Sequence, residues 1–143
     1  MIYLDTSAFI KLYLHEEGSA EVHRLVTAQH DPLPSWHLLE LELYNALRFK
    51  VFLSDMTAKD ADRLISDYLD RKRKGQYHTP DLDPVSLHEM ALRMTTRTAV
   101  TGCRSLDILH VAAARMIQAE QFITADKRQA ALAKSEHLTV EVV

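Results

Sequence analysis

Gln121-Phe122-Ile123-Thr124-Ala125-Asp126 decides the fold. A run of strand-forming residues ends in a hydroxyl and, two positions on, a carboxylate. A helical pattern precedes the run at 105–119, and another follows it at 126–134. The start of the chain repeats the arrangement: Ile2-Tyr3-Leu4 is a short apolar run closed by Asp5-Thr6-Ser7. Thr6 and Ser7 are good N-caps for a helix over 6–14. Between the two runs, the spacing predicts helices over 18–28, 36–52, 57–74 and 83–98, and strands over 32–35 and 76–79. A last strand falls at 138–143. Strands separated by helices argue for an α/β fold, a parallel sheet with helices on both faces.

The 143 residues suit one domain, expected to span 1–143. Hydrophobic residues make up 47% and charged residues 26%, a globular balance. Cys103 is the only cysteine, which excludes a disulfide scaffold. No basic leader precedes an apolar run, and no run approaches the ~20 residues of a membrane span, so we expect a cytoplasmic protein with no membrane partner. The net charge of −3 counts against nucleic acid, because phosphate contacts need cations.

In open parallel sheets, ligands sit beyond the carboxyl ends of the strands. Asp5 and Asp126 both fall there. Asp107 lies in the first turn of an otherwise apolar helix, and Glu42 stands in the largely apolar run Leu38–Leu47. Singly, each aspartate reads as a helix cap or a solvated acid. Together, four carboxylates would repel one another, and a hard divalent cation such as Mg²⁺ or Mn²⁺ removes that conflict. Thr6, Ser7 and Thr124 can orient the acids. The chemistry implied is metal-assisted hydrolysis of a phosphodiester.

Met1-Ile2-Tyr3-Leu4-Asp5-Thr6-Ser7, Glu42-Leu43-Tyr44-Asn45-Ala46-Leu47, Ser105-Leu106-Asp107-Ile108-Leu109-His110 and Phe122-Ile123-Thr124-Ala125-Asp126-Lys127 together resemble the PIN-domain family, and within it the VapC-type toxin ribonucleases. The resemblance implies a three-layer α/β/α sandwich around a parallel sheet of four or five strands. It implies an Mg²⁺- or Mn²⁺-dependent endoribonuclease, the toxin of a toxin–antitoxin pair, with a small antitoxin partner and a homodimer formed through residues 1–50. Asp5, Glu42, Asp107 and Asp126 take the catalytic and metal-holding positions. Glu40 competes with Glu42: two positions apart they face different ways. Periodicity leaves the choice open, and the family pattern selects Glu42.

Arg104 and Lys127 adjoin site acids in sequence and are candidate phosphate contacts. The other basic concentration, Arg71-Lys72-Arg73-Lys74, reads equally as RNA-binding or as a solvated helix end. Seven of the eight histidines read as surface or packing groups; His110, one turn from Asp107, reads as a packed residue within reach of the site. Trp36, Tyr44, Phe49 and Phe52 are expected in the core or a dimer interface. Two alternatives remain: a non-catalytic binding module of the same fold, and a phosphatase with Asp5 as nucleophile. The latter wants a second aspartate where Ser7 stands.

Overall fold

The computed structural model describes residues 1–143. Strand β1 spans Ile2–Leu4, β4 Gln121–Thr124 and β5 Thr139–Val142; they form one parallel ladder in the order β1-β4-β5. Strands β2, Leu33–Pro34, and β3, Tyr77–His78, form a second parallel ladder beside it. Five strands are present, against an expected four or five, but hydrogen bonding is interrupted between β1 and β2. Pro34 explains the break. Leu33 and Ser35 direct their N–H groups to β3, at 3.0 Å from Gln76 O and 2.8 Å from His78 O. The intervening residue would donate to the other side, and proline has no N–H. Side chains bridge the gap instead: Trp36 Nε1 donates to Tyr3 Oη at 2.7 Å.

The helices are α1 Thr6–Phe9, α2 Ser19–Thr27, α3 His37–Phe52, α4 Ala58–Arg73, α5 Pro84–Met94, α6 Thr98–Thr101, α7 Ser105–Met116 and α8 Lys127–Ser135. All of β1 is buried, as are Phe122, Ile123 and Thr124 of β4, so both faces of the ladder are covered. Tyr3 pairs with Phe122 in register, and their rings stack at 5.5 Å and 8°. Such a cross-strand aromatic pair adds about 0.5–1.5 kcal/mol beyond area burial.

Three sequence expectations change in detail. The helix expected over 6–14 tightens after Phe9 into a 3-10 turn, Ile10–Leu12. The helix expected over 83–98 is interrupted at Thr95–Arg97, where Thr95 and Thr96 hydroxyls bond the carbonyls of Leu92 and Arg93. Threonine hydroxyls compete with the backbone in this way. Gly102 then turns the chain at φ 68°, a conformation that glycine adopts without penalty, and delivers it into α7. The first N-cap also shifts by one or two positions: Asp5 rather than Thr6 or Ser7 caps α1.

Candidate active site

The parallel register brings the carboxyl ends of β1 and β4 side by side. Asp5 N donates to Ile123 O at 3.1 Å, which places the first residue beyond β1 against the end of β4. Asp5 is 4% exposed. Its Oδ1 accepts from Ala8 N at 2.9 Å, its Oδ2 from Thr124 Oγ1 at 2.9 Å, and Ser7 Oγ lies 2.8 Å from both oxygens. Burial raises its pKa above the usual carboxylate range, against the opposing charge of His110 and these hydrogen bonds.

Asp126 caps α8, its Oδ1 accepting from Arg128 N at 2.7 Å and Gln129 N at 3.2 Å. Burial works against its charge, but these backbone donors and the Arg128 guanidinium hold its pKa down. Asp107, half-buried, accepts from Arg104 N at 3.3 Å in the first turn of α7. Capping therefore accounts for each aspartate singly. It does not account for Glu42, in the middle of α3.

Glu42 takes two bonds on one oxygen. Thr6 Oγ1 donates to Oε2 at 2.5 Å, and His110 Nε2 lies 2.6 Å from the same atom. Burial raises its pKa, but the hydrogen bond and charge of His110, with Thr6, outweigh that and leave it lowered. Glu40 instead reaches Lys72 of α4, at 3.1 Å. The two glutamates thus part company, and Glu42 is the one facing the site.

Asp5, Glu42, Asp107 and Asp126 line a single cleft of about 440 Å³, together with Thr6 and His110. An adjoining cleft joins Glu42, Asp107 and Asp126 to Arg104 and Arg128. Lys127 is exposed and lines neither cleft, so the basic residue of that turn at the cleft is Arg128, which closes from one residue further into α8. The basic run of α4 lies in local pairs: Arg71 stacks over Tyr13 at 4.9 Å, Lys72 meets Glu40, and Arg73 and Lys74 meet Asp70.

The PIN domain family model matches residues 2–135, nearly the whole chain. The chain belongs to the PIN domain family. Three solved structures share the fold of this PIN domain. VapC20 of Mycobacterium tuberculosis, described as a sarcin-ricin loop cleaving toxin, is 15% identical, covering 92% of this chain and 94% of that one, with a TM-score of 0.69. FitAcB of Neisseria gonorrhoeae is 15% identical over 98% and 96%, with a TM-score of 0.70. VapBC2 of Rickettsia felis, solved with a DNA fragment from their promoter, is 14% identical over 100% and 99%, with a TM-score of 0.64. No curated protein matches the chain significantly.

Around this PIN domain's cleft, sequence reasoning placed His110 within reach of the site but not its distant partners, and did not single out Gln129. His110 is 2% exposed and belongs to a chain of bonds rather than to packing alone: Tyr3 Oη lies 2.7 Å from its Nδ1. Burial pushes the Tyr3 hydroxyl pKa well up, against its bond from Trp36, so the phenol keeps its proton. Gln129, buried, sits between two acids. Its Oε1 lies 3.0 Å from Thr124 Oγ1, whose single hydrogen goes to Asp5, and its Nε2 donates to Asp107 O at 3.1 Å. Its three-residue spacing from Asp126 was the available signal. Phe49 and Phe52, expected in a core or an interface, are 55% and 79% exposed, which places them outside the core of the chain, and they stack on each other at 5.7 Å.

The donor set is all hard oxygen, which suits Mg²⁺ or Mn²⁺. No three His, Cys, Asp or Glu side chains stand close enough to enclose an ion by themselves. An open cleft with carboxylates on its walls fits a cation that keeps several waters and takes only one or two carboxylates directly. The same geometry disfavours Asp5 as a covalent nucleophile: it is buried, with hydroxyl or amide donors on both oxygens and a serine at position 7. No helix is long and apolar enough to cross a membrane.

Proposed function

We propose that the protein is a divalent-cation-dependent endoribonuclease and the toxin of a toxin–antitoxin pair. The observation that carries the reading is Glu42. A carboxylate in mid-helix has no capping duty, yet it is held ionised and shares one cleft with Asp5, Asp107 and Asp126. Membership of the PIN domain family and the likeness to a toxin described as cleaving the sarcin-ricin loop support the choice of RNA.

Asp5, Glu42, Asp107 and Asp126 would hold Mg²⁺ or Mn²⁺, which supplies Lewis acidity for water attack on a phosphodiester and offsets charge on the phosphate. Ser7 and Thr124 fix the Asp5 carboxylate, and Thr6 fixes Glu42. Arg104 and Arg128 stand where an RNA phosphate would meet positive charge beside the acids. The net charge agrees with a local deficit. Without the four acids, 16 acidic residues face 17 basic ones, so the rest of the surface is close to neutral. That argues for weak, short-range substrate contacts rather than a broad electrostatic grip.

A small antitoxin and a second copy of the chain are the proposed partners. Two of the solved relatives, FitAcB and VapBC2, support the first. Exposed Leu41, Phe49, Phe52 and Leu53 on and just after α3 offer apolar surface for either.

The test is cleavage of a single-stranded RNA by the purified protein, with Mg²⁺ or with EDTA, beside the Asp5→Asn variant. We expect cleavage only with the metal and the unaltered Asp5. Undiminished cleavage in EDTA, or by Asp5→Asn, would falsify the assignment.

A further inference from the structure

A line of hydrogen bonds crosses the molecule behind the cleft, from the residue that opens α3 through β1 and α7 to the middle of α3. Trp36 Nε1 donates to Tyr3 Oη at 2.7 Å, Tyr3 Oη lies 2.7 Å from His110 Nδ1, and His110 Nε2 lies 2.6 Å from Glu42 Oε2. Trp36, Tyr3 and His110 are all buried. The partners fix the proton positions. The Glu42 carboxylate only accepts, so Nε2 carries the hydrogen that points at it. In the neutral ring, Nδ1 is then an acceptor, and the Tyr3 hydroxyl donates to it. In the charged ring, Nδ1–H would donate to Tyr3 instead. Nε2 donates to Glu42 in both states.

Both bonds to Glu42 end on Oε2. No hydrogen bond from the protein reaches Oε1. One oxygen is therefore pinned from behind by Thr6 and His110, and its twin is left for whatever enters the cleft. The glutamate itself has three rotatable bonds and stands among leucines that give its carboxylate no other anchor. Leu39 and Leu43, its neighbours along α3, are buried in the core.

We infer that His110 is a positioning residue: through Nε2 it holds Oε2 of Glu42 and so aims Oε1 into the cleft, with Tyr3 and Trp36 fixing the ring. The inference rests on the proposed reading of Glu42 as a metal-holding carboxylate, and deepens it. Groups that orient a metal-binding side chain from behind are worth about 10–100-fold in metal affinity.

The experiment is calorimetric titration of the full-length protein with Mn²⁺ alone. His110→Leu removes the donor, and His110→Gln replaces it, since the glutamine amide N–H reaches about as far as Nε2–H. We expect His110→Leu to weaken Mn²⁺ binding about tenfold or more, and His110→Gln to stay within about threefold of the unaltered protein. A merely structural histidine would show no such rescue. Circular dichroism and Tm report whether each variant is folded. If His110→Leu fails to fold, Tyr3→Phe serves: the ring loses its anchor while the phenyl packing on Phe122 stays, and Mn²⁺ binding weakens. Unchanged affinity in whichever of these folds, or no rescue by a folded His110→Gln, overturns the inference alone. Absence of saturable Mn²⁺ binding by the unaltered protein overturns the metal reading and this inference together.

Discussion

Thr124 Oγ1 donates to Asp5 Oδ2 at 2.9 Å, joining the ends of two neighbouring parallel strands through their side chains. The bond exists because β1 and β4 run in register, Leu4 beside Ile123, so the next residues of both strands meet on one rim. It also leaves a carboxylate buried among neutral donors, with no basic side chain bonded to it.

That burial has a pH signature. Asp5 binds its proton more tightly in the folded state than its ordinary value of 3.8 implies. Its contribution to stability is therefore fully present below that value and lost as pH rises through the raised one. Each unit of such a shift is about 1.4 kcal/mol, a Tm change of about 2–4 °C per kcal/mol at this chain length. Asp5→Asn never ionises. In EDTA, its Tm relative to the unaltered protein should climb as pH rises above 3.8 and level off once the buried carboxyl has ionised. Added Mn²⁺ should narrow the difference by stabilising only the unaltered protein. A difference that stays flat with pH would mean that burial does not disfavour the Asp5 charge.

Glu42 and Glu40 differ by two positions on α3 and should differ sharply in consequence. Glu42→Gln keeps the shape but removes the charge from the cleft. RNA cleavage should fall at least about a hundredfold, as for loss of one catalytic electrostatic partner. Glu40→Gln removes only the 3.1 Å pair with Lys72, which lies towards the surface. It should cost about 0.2–1 kcal/mol of stability and leave cleavage unchanged. Matched single-turnover rates and urea midpoints separate the two.

The strands were legible because short apolar runs ended by Asp5 and by Thr124 leave little else to read. The acids were legible by position, since strand ends and helix starts locate Asp5, Asp107 and Asp126. Glu42 was not legible by periodicity. The selection between it and Glu40 depends on α4 supplying Lys72 to one of them, a contact between residues 32 apart in sequence. His110 was legible as within reach of the site, but its bonds were not, for the same reason: its partners Tyr3 and Glu42 lie 107 and 68 positions away, and nothing local marks a histidine as bonded rather than packed. The interruption between β1 and β2 hangs on which way one proline's absent N–H would have pointed. That follows only once Leu33 and Ser35 are seen to face β3.

Cys103 is 3% exposed beside the acidic cleft. Burial pushes its thiol pKa up from 9.0 to about 12, and the carboxylates of Asp107 and Asp126 add to the effect. The reactive thiolate is correspondingly scarce. Alkylation by iodoacetamide at about pH 8 should be about a thousandfold slower in the folded protein than in urea. Rapid labelling of the folded protein would show that the α6–α7 turn opens readily.

The last prediction concerns which cations meet the substrate. Arg104 and Arg128 line the cleft that also contains Glu42, Asp107 and Asp126, whereas Lys127 is exposed outside it. Arg128 has a second duty, since its guanidinium lies 3.4 Å from Asp126 Oδ2. Arg104→Ala should weaken RNA binding with little dependence on sequence, and should reduce the slope of log affinity against log salt by about one unit. Arg128→Ala should do the same and also raise the Asp126 pKa, because one of the groups holding it down is gone. Lys127→Ala and Lys74→Ala should change neither affinity nor slope. The measurement is RNA binding by fluorescence anisotropy across a salt series, using Asp5→Asn as the background to prevent cleavage. A loss at Lys127 equal to that at Arg104 would show that charge density, rather than position at the cleft, governs substrate contact.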